Sequence, residues 1–283
     1  MQSVSLADRT GQALPGSIRY ERRGTAAWLV IDNPAARNAL TASMLEDISR
    51  LVDEAAADQR IRSVVITGRG PCFSAGADIH NVLDILTGDG TEPDGGLLTI
   101  AAQSLLDCPK PTIAVLEGPC MGGAWMLAAA CDMRIGSEAA VIGLTPVKLG
   151  ILYPYAGIVR LVRLAGEGTA SDLLLTGRSV KAEEALRLGL LTGLVPDAAA
   201  AAEAQCAALA RLSQLSVRGH KELIRLAAAG PAEAAAVPGA AQHWYREMVE
   251  SGDAQEGIRA FFAREQPRFG TTDLAAASGR ISY

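Results

Sequence analysis

Twice along this chain a buried-strand pattern breaks into small residues and then turns into a helix. The first passage, Val64-Val65-Ile66-Thr67, stops at Gly68 and runs through Gly70-Pro71-Cys72-Phe73-Ser74-Ala75-Gly76-Ala77-Asp78-Ile79 into a helical pattern. The second, Thr112-Ile113-Ala114-Val115-Leu116, turns at Glu117-Gly118-Pro119 and reaches the pair Gly122-Gly123, which opens an apolar helix from Ala124 to Ala130. Strands alternating with helices predict an α/β chain. Backbone N–H groups in the first turn of a helix lack intrahelical partners, and small residues let a ligand carbonyl approach them. If the amides of Ala77 and Gly123 converge, they make a two-donor site for an oxygen that gains negative charge, worth roughly 3 kcal/mol per donor. The same glycines would also permit tight turns and close helix packing, and spacing alone leaves both readings open.

Around these passages, Ser17 to Glu21 and Ala26 to Asp32 read as strands joined about Arg23-Gly24, with Pro34 closing the second. Leu40, Met44, Leu45, Ile48, Leu51 and Val52 follow helical spacing, with Thr41 or Ser43 as the cap. Asp132 to Ile135 is a further strand, and from Gly157 the chain reads as helices broken by a short strand near Leu190 to Val195. Glycines among acids from Leu86 to Gly96 predict a mobile surface segment. The Ala-rich stretch from Asp197 to Ala241 reads as helix, because alanine is the best helix former and charges punctuate it. The expected organisation is a variable tail over 1–16, a core over 17–196, a helical oligomerisation region over 197–270 and a second tail over 271–283.

Composition removes several functions. The 26 basic and 31 acidic side chains leave a net charge of −5 with no cationic cluster, which argues against a nucleic-acid partner. The longest nearly uncharged stretch, Pro119 to Cys131, falls short of the roughly 20 residues that cross a bilayer, so no membrane span is expected. The first residues carry Asp8 and Arg9 with no apolar run behind them, which predicts no secretory leader. Cys72, Cys108, Cys120, Cys131 and Cys206 are odd in number and lack CxxC spacing, and they read as reduced, cytoplasmic and mostly core. His80, His220 and His243 are scattered, so no metal is expected. Ser74 lacks the first glycine of a GxSxG elbow, and Gly166-Glu167-Gly168 does not extend to a dinucleotide fingerprint.

From Trp28 to Phe269 the chain resembles the crotonase, or enoyl-CoA hydratase/isomerase, superfamily. The resemblance rests on Asn33-Pro34-Ala35-Ala36-Arg37-Asn38-Ala39-Leu40, Phe73-Ser74-Ala75-Gly76-Ala77-Asp78-Ile79, Pro109-Lys110-Pro111-Thr112-Ile113-Ala114, Glu117-Gly118-Pro119-Cys120-Met121-Gly122-Gly123-Ala124, Cys131-Asp132 and Leu175-Thr176-Gly177-Arg178, in that order. It implies a crotonase-type α/β spiral of ββα units with a C-terminal helical trimerisation region, and a homotrimer or homohexamer. It implies acyl-CoA thioesters as ligands, with coenzyme A entering only as part of the substrate, and a place in fatty-acid metabolism. The paired oxyanion donors carry over to Ala77 and Gly123, with Gly122 beside them. The nucleotide part of coenzyme A would lie along Ala35, Ala36 and Arg37 and along Ala75, Gly76, Asp78 and Ile79. The segment Ile79 to Ile100, the least family-like, would wall the acyl tunnel.

Hydratases of this family place two glutamates over the substrate, and the matching positions here hold Met126 and Pro146, which would line the acyl group without carrying a proton. The isomerases usually keep the second glutamate or set an aspartate near the Pro154 place, and this chain has neither. Asp78, Glu117 and Asp132 read as capping or turn carboxylates, and His80 as a surface or coenzyme contact. The run Thr145-Pro146-Val147-Lys148-Leu149-Gly150-Ile151-Leu152-Tyr153 looks like the methylmalonyl-CoA decarboxylase branch, where the tyrosine lies at the reacting end of the acyl group. That branch differs in having histidine at the Ala77 place and an acid at the Met126 place. Decarboxylation needs an oxyanion site and a dry pocket, and a catalytic carboxylate there would repel the substrate's own. Tyr153 would donate to that carboxylate or stand near the enolate carbon; alternatively it packs beside Pro154 and Tyr155. Two further readings stay open: a hydratase or isomerase whose acid and base come from Asp84 to Asp94, and a silent acyl-CoA binding protein.

Overall fold

The computed structural model describes residues 16–88, 96–229 and 236–270. Most of the tail expected over 1–16, the tail expected over 271–283, residues 89–95 of the segment expected to be mobile and residues 230–235 of the Ala-rich stretch lie outside the described residues. Strands β1 (Ser17–Arg23) and β2 (Ala26–Asp32) form an antiparallel hairpin about Gly24, whose φ of +58° suits glycine. Next to β2 lie the parallel strands β3 (Ser63–Gly68) and β4 (Thr112–Leu116). A second, smaller sheet begins with β5 (Pro119–Met121). Strands β6 (Met133–Gly136) and β9 (Gly193–Leu194) complete the large sheet in the order β1-β2-β3-β4-β6-β9. The small sheet joins β5 in parallel to β7 (Val141–Gly143) and β7 antiparallel to β8 (Ser179–Lys181).

The large sheet is covered on both faces, so β2, β3 and β4 are apolar nearly throughout instead of alternating. One face carries Ala27, Leu29, Ile31, Val64, Ile66, Ala114 and Leu116. These pack into the main core with α1 (Ala42–Ala57), α3 (Leu97–Asp107) and α4 (Gly123–Ala130). The other face carries Ala26, Trp28, Val65, Ile113 and Val115 under Ala198, Ala202 and Cys206 of α7 (Ala198–Leu209). Helix α1 is capped by Thr41, whose side chain accepts from Met44 N. Leu40, just before the cap, pairs with Ala77.

After Ile79 the chain makes one 3-10 turn (Ile79–Asn81) and then the short α2 (Val82–Thr87). Helix α5 (Tyr155–Thr176) is interrupted at Gly166, and α6 (Ala182–Arg187) leads to β9. Beyond α7 come α8 (Gln214–Ala228), α9 (Val237–Ser251) and α10 (Asp253–Ala263), which make the C-terminal region helical as expected. Trp244 of α9 lies against Gly219 of α8, where an added Cβ would sit 2.9 Å from the indole, and its Nε1 donates to Glu222 at 3.0 Å. Tyr245, Val249, Phe261 and Phe262 remain exposed on α9 and α10. The five cysteines are free thiols, Cys72 half-buried and the rest buried. Among the described residues no helix is long and apolar enough to cross a membrane.

Candidate active site

The loop after β3 is stitched on both sides by backbone pairing. At Ser74 it pairs with Cys120 of β5: Ser74 N donates to Pro119 O (3.1 Å), and Met121 N donates to Ser74 O (3.0 Å). At Ala77 it pairs with Leu40: Leu40 N donates to Gly76 O (2.8 Å), and Asp78 N donates to Leu40 O (2.8 Å). In this parallel arrangement Leu40 bonds the residues flanking Ala77, so the N–H of Ala77 itself points to the opposite side. Gly76 makes the approach possible. Its φ is +102°, and a Cβ there would lie 2.7 Å from Met121 O and 3.5 Å from Gly123 N.

From the other direction, Gly122 (φ 51°, ψ −117°) turns the chain out of β5 into α4. Its own N–H donates to Gly143 O at 2.7 Å. Gly123 begins the helix, and a Cβ on it would lie 3.4 Å from Ala77 N and 2.9 Å from Leu98 Cδ2. The amides of Ala77 and Gly123 are thus brought together under the Leu98 side chain, and neither donates a hydrogen bond to another described residue. Glycine at 76 serves both a positive φ and close approach to Met121 O, and glycine at 122 makes the turn into α4, so the two readings of these glycines hold together.

Met126 is 4% exposed and lies one turn into α4, on the same wall as Gly157 and Tyr153. A Cβ on Gly157 would meet Tyr153 Cε1 at 2.6 Å and Met126 Sδ at 3.3 Å, which shows how tightly this wall closes. Pro146 starts a 3-10 turn (Pro146–Leu149) and is half-buried, its carbonyl accepting from Ile151 N at 3.0 Å. Burial raises the Tyr153 phenol well above its ordinary range. Its hydroxyl donates to Gly122 O at 3.1 Å. The hydroxyl expected to meet a substrate carboxylate or to stand near the enolate carbon thus donates to the main chain in this structure.

The segments expected along the nucleotide are adjacent, since Ala75 N donates to Arg37 O at 2.9 Å. Ala35 and Ala36 occupy an exposed 3-10 turn (Pro34–Ala36), and Arg37 and Asn38 adopt positive φ behind it. Asn38 is buried and holds the turn, its Nδ2 donating to Arg69 O and Cys72 O. Arg37 and Ile79 are exposed at the rim. Asp78 caps the following turn through His80 N, and hydrogen bonding from His80 holds its carboxyl below the usual range. The other carboxylates are structural as read. Glu117 accepts from Ala199 N at the start of α7, and Asp132 accepts from Thr112 N and pairs with Lys221 at 2.8 Å. Leu98 and Gly157 belong to the site without having been singled out. Leu98 fell only within a segment assigned to the tunnel wall, and nothing local marks Gly157.

Two main-chain N–H groups without an acceptor among the described residues thus lie close together near the buried Leu98 and Met126, with the exposed Arg37 and Ile79 at the rim. Residues 21–272 match the model of the enoyl-CoA hydratase/isomerase family, and the chain belongs to that family, whose members act on acyl-CoA. A solved structure of an enoyl-CoA hydratase/isomerase family member superposes with a TM-score of 0.82 at 38% identity, covering 92% of this chain and 98% of that one. A Thermus thermophilus relative bearing an enoyl-CoA hydratase name is 38% identical over 253 residues, 87% of this chain and 98% of its own length. Enoyl-CoA hydratase EchA19 of Mycobacterium tuberculosis is 35% identical over 255 residues, 88% of this chain and 94% of that protein. The fold is accordingly of the crotonase type.

Proposed function

We propose that this chain forms an enolate from an acyl-CoA thioester whose oxygen is held by the amides of Ala77 and Gly123, and that the enolate arises by loss of CO₂ from a malonyl-type acyl group. One observation carries the finer part of this reading. Leu98 lies against the paired amides, Met126 lines the first turn of α4 beyond them, and Met126 and Pro146 stand where hydratases have proton-carrying glutamates. In the reaction, the bond from Cα to the carboxylate carbon breaks and CO₂ departs. The electron pair comes to rest on the thioester oxygen, where two fixed donors stabilise it without reorganisation. Solvent then delivers a proton to Cα, and no side-chain base is required. The adenine and phosphates lie along Ala35 to Arg37 and Ala75 to Ile79, with the Arg37 guanidinium at the phosphates. Copies associate as trimers or pairs of trimers through the C-terminal helices.

The test is CO₂ release from malonyl-CoA and methylmalonyl-CoA, run beside hydration of crotonyl-CoA. Release of CO₂ supports the reading. Addition of water to crotonyl-CoA without CO₂ release replaces it with the activity in the relatives' names, with acid and base drawn from elsewhere in the chain. Binding of acyl-CoA with neither reaction leaves a silent thioester-binding protein.

A further inference from the structure

The peptide between Gly122 and Gly123 is engaged from both ends. Its nitrogen is one of the two neighbouring donors, and its oxygen accepts from Tyr153 Oη at 3.1 Å and from Trp125 N at 3.1 Å. In a trans peptide the N–H and C=O point in opposite directions. A hydroxyl on the oxygen side therefore leaves the N–H free and aims it away from Tyr153, on the flank where Ala77 N lies close to Gly123. Glycine at 122 does not fix this plane by itself, because φ of 51° is one of many conformations open to it. The hydroxyl comes from a ring held by Gly157 and Met126 and only 8% exposed, so its direction is set by packing. Burial keeps the phenol protonated, so it stays a donor through the neutral and alkaline range. Hydrogen bonds in series polarise one another, each strengthened by about 10–30%.

We propose that Tyr153 is a positioning residue, which orients and polarises the Gly122–Gly123 peptide so that its N–H grips the thioester oxygen. Tyr153 then acts on the substrate through the main chain and without touching it. The proposal rests on the thioester reading above, and its test separates the two. The probe is acetyl-CoA labelled with ¹³C at the thioester carbonyl, which has neither a carboxylate to lose nor a double bond to hydrate. Its carbonyl stretch is read by difference infrared spectroscopy, bound against free.

In the wild-type protein the stretch should move to lower wavenumber on binding. Tyr153→Phe keeps the ring and should reduce that shift by at least about 10–30%, with affinity for free coenzyme A unchanged. Replacing Tyr153 by 3-fluorotyrosine, a stronger donor of the same shape, should enlarge it. This second variant keeps the hydroxyl, so it decides the matter if Tyr153→Phe fails to fold. An equal shift in wild type and in the variants overturns the proposal and leaves the thioester reading intact. No shift in the wild-type protein overturns the thioester reading and the role of Tyr153 with it.

Discussion

Gly122 sits at φ 51° and ψ −117°, a region that side chains avoid, and nothing lies within 4 Å of where its Cβ would go. Gly122→Ala therefore isolates backbone strain. We expect a loss of about 1–3 kcal/mol by urea denaturation, and a loss within error would mean the turn relaxes. Gly123→Pro acts on the other side of the same peptide. Proline is tolerated at the first position of a helix, yet it deletes the donor, so turnover should fall by about 10²–10³ while free coenzyme A still binds; equal loss of both would make the turn merely structural. Far from the site, the Glu256 carboxyl is held at about 2 by Arg259 and by the N–H of Arg268. A folded value below the usual 4.5 means that this contact stabilises the fold fully above about pH 4.5 and is lost as pH falls through about 2. Hydrogen exchange over 253–270 should show acid fraying in the wild type that is already present near neutrality in Glu256→Gln. Identical pH profiles would count against it.

At the scale of elements, Asp132, just before β6, ties β4 to α8. Its Oδ2 accepts from Thr112 N and Oγ1 at the start of β4 and pairs with Lys221 of α8. Asp132→Asn should cost about 1.5–3 kcal/mol of stability with kcat nearly unchanged, and a selective fall in kcat would give this carboxylate a chemical role after all. How much of the arrangement could be read in advance follows from the range of each signal. Strands β1 to β4 and helices α1 and α4 carry long apolar runs or helical spacing, and they stand where the residues placed them. The three-residue strands β5, β7 and β8 were not anticipated, because so short a segment has no period and is held only by its partners. That Ala77 and Gly123 lie close together follows the pair of glycine turns read in the sequence. The bond from Tyr153 to Gly122 was not, since it joins residues 31 apart with no local pattern to announce it.

For the whole molecule, the exposed Tyr245, Val249, Phe261 and Phe262 give the C-terminal helices an apolar face of the kind that marks an interface. Light scattering should report three or six chains, and Phe261→Asp combined with Phe262→Asp should shift the population toward monomer; a monomeric wild type at micromolar concentration would contradict this. Thiol labelling offers a second measurement on the intact protein. Among the five thiols, only Cys72 is less than fully buried, so a maleimide should modify at most one cysteine in native protein and all five after unfolding.

The two donors at the candidate site belong to the main chain, one pinned by pairing with Leu40 and the other at the start of α4. Neither donor is a side chain, and neither depends on the residues at positions 126 and 146 for its place. On the proposed reading, exchanging the residues at positions 126 and 146 would add or remove proton chemistry while leaving the paired amides and the Tyr153 bond behind them in place. Reaction type is then the changeable part of the site, and the mode of holding the carbonyl is the durable part.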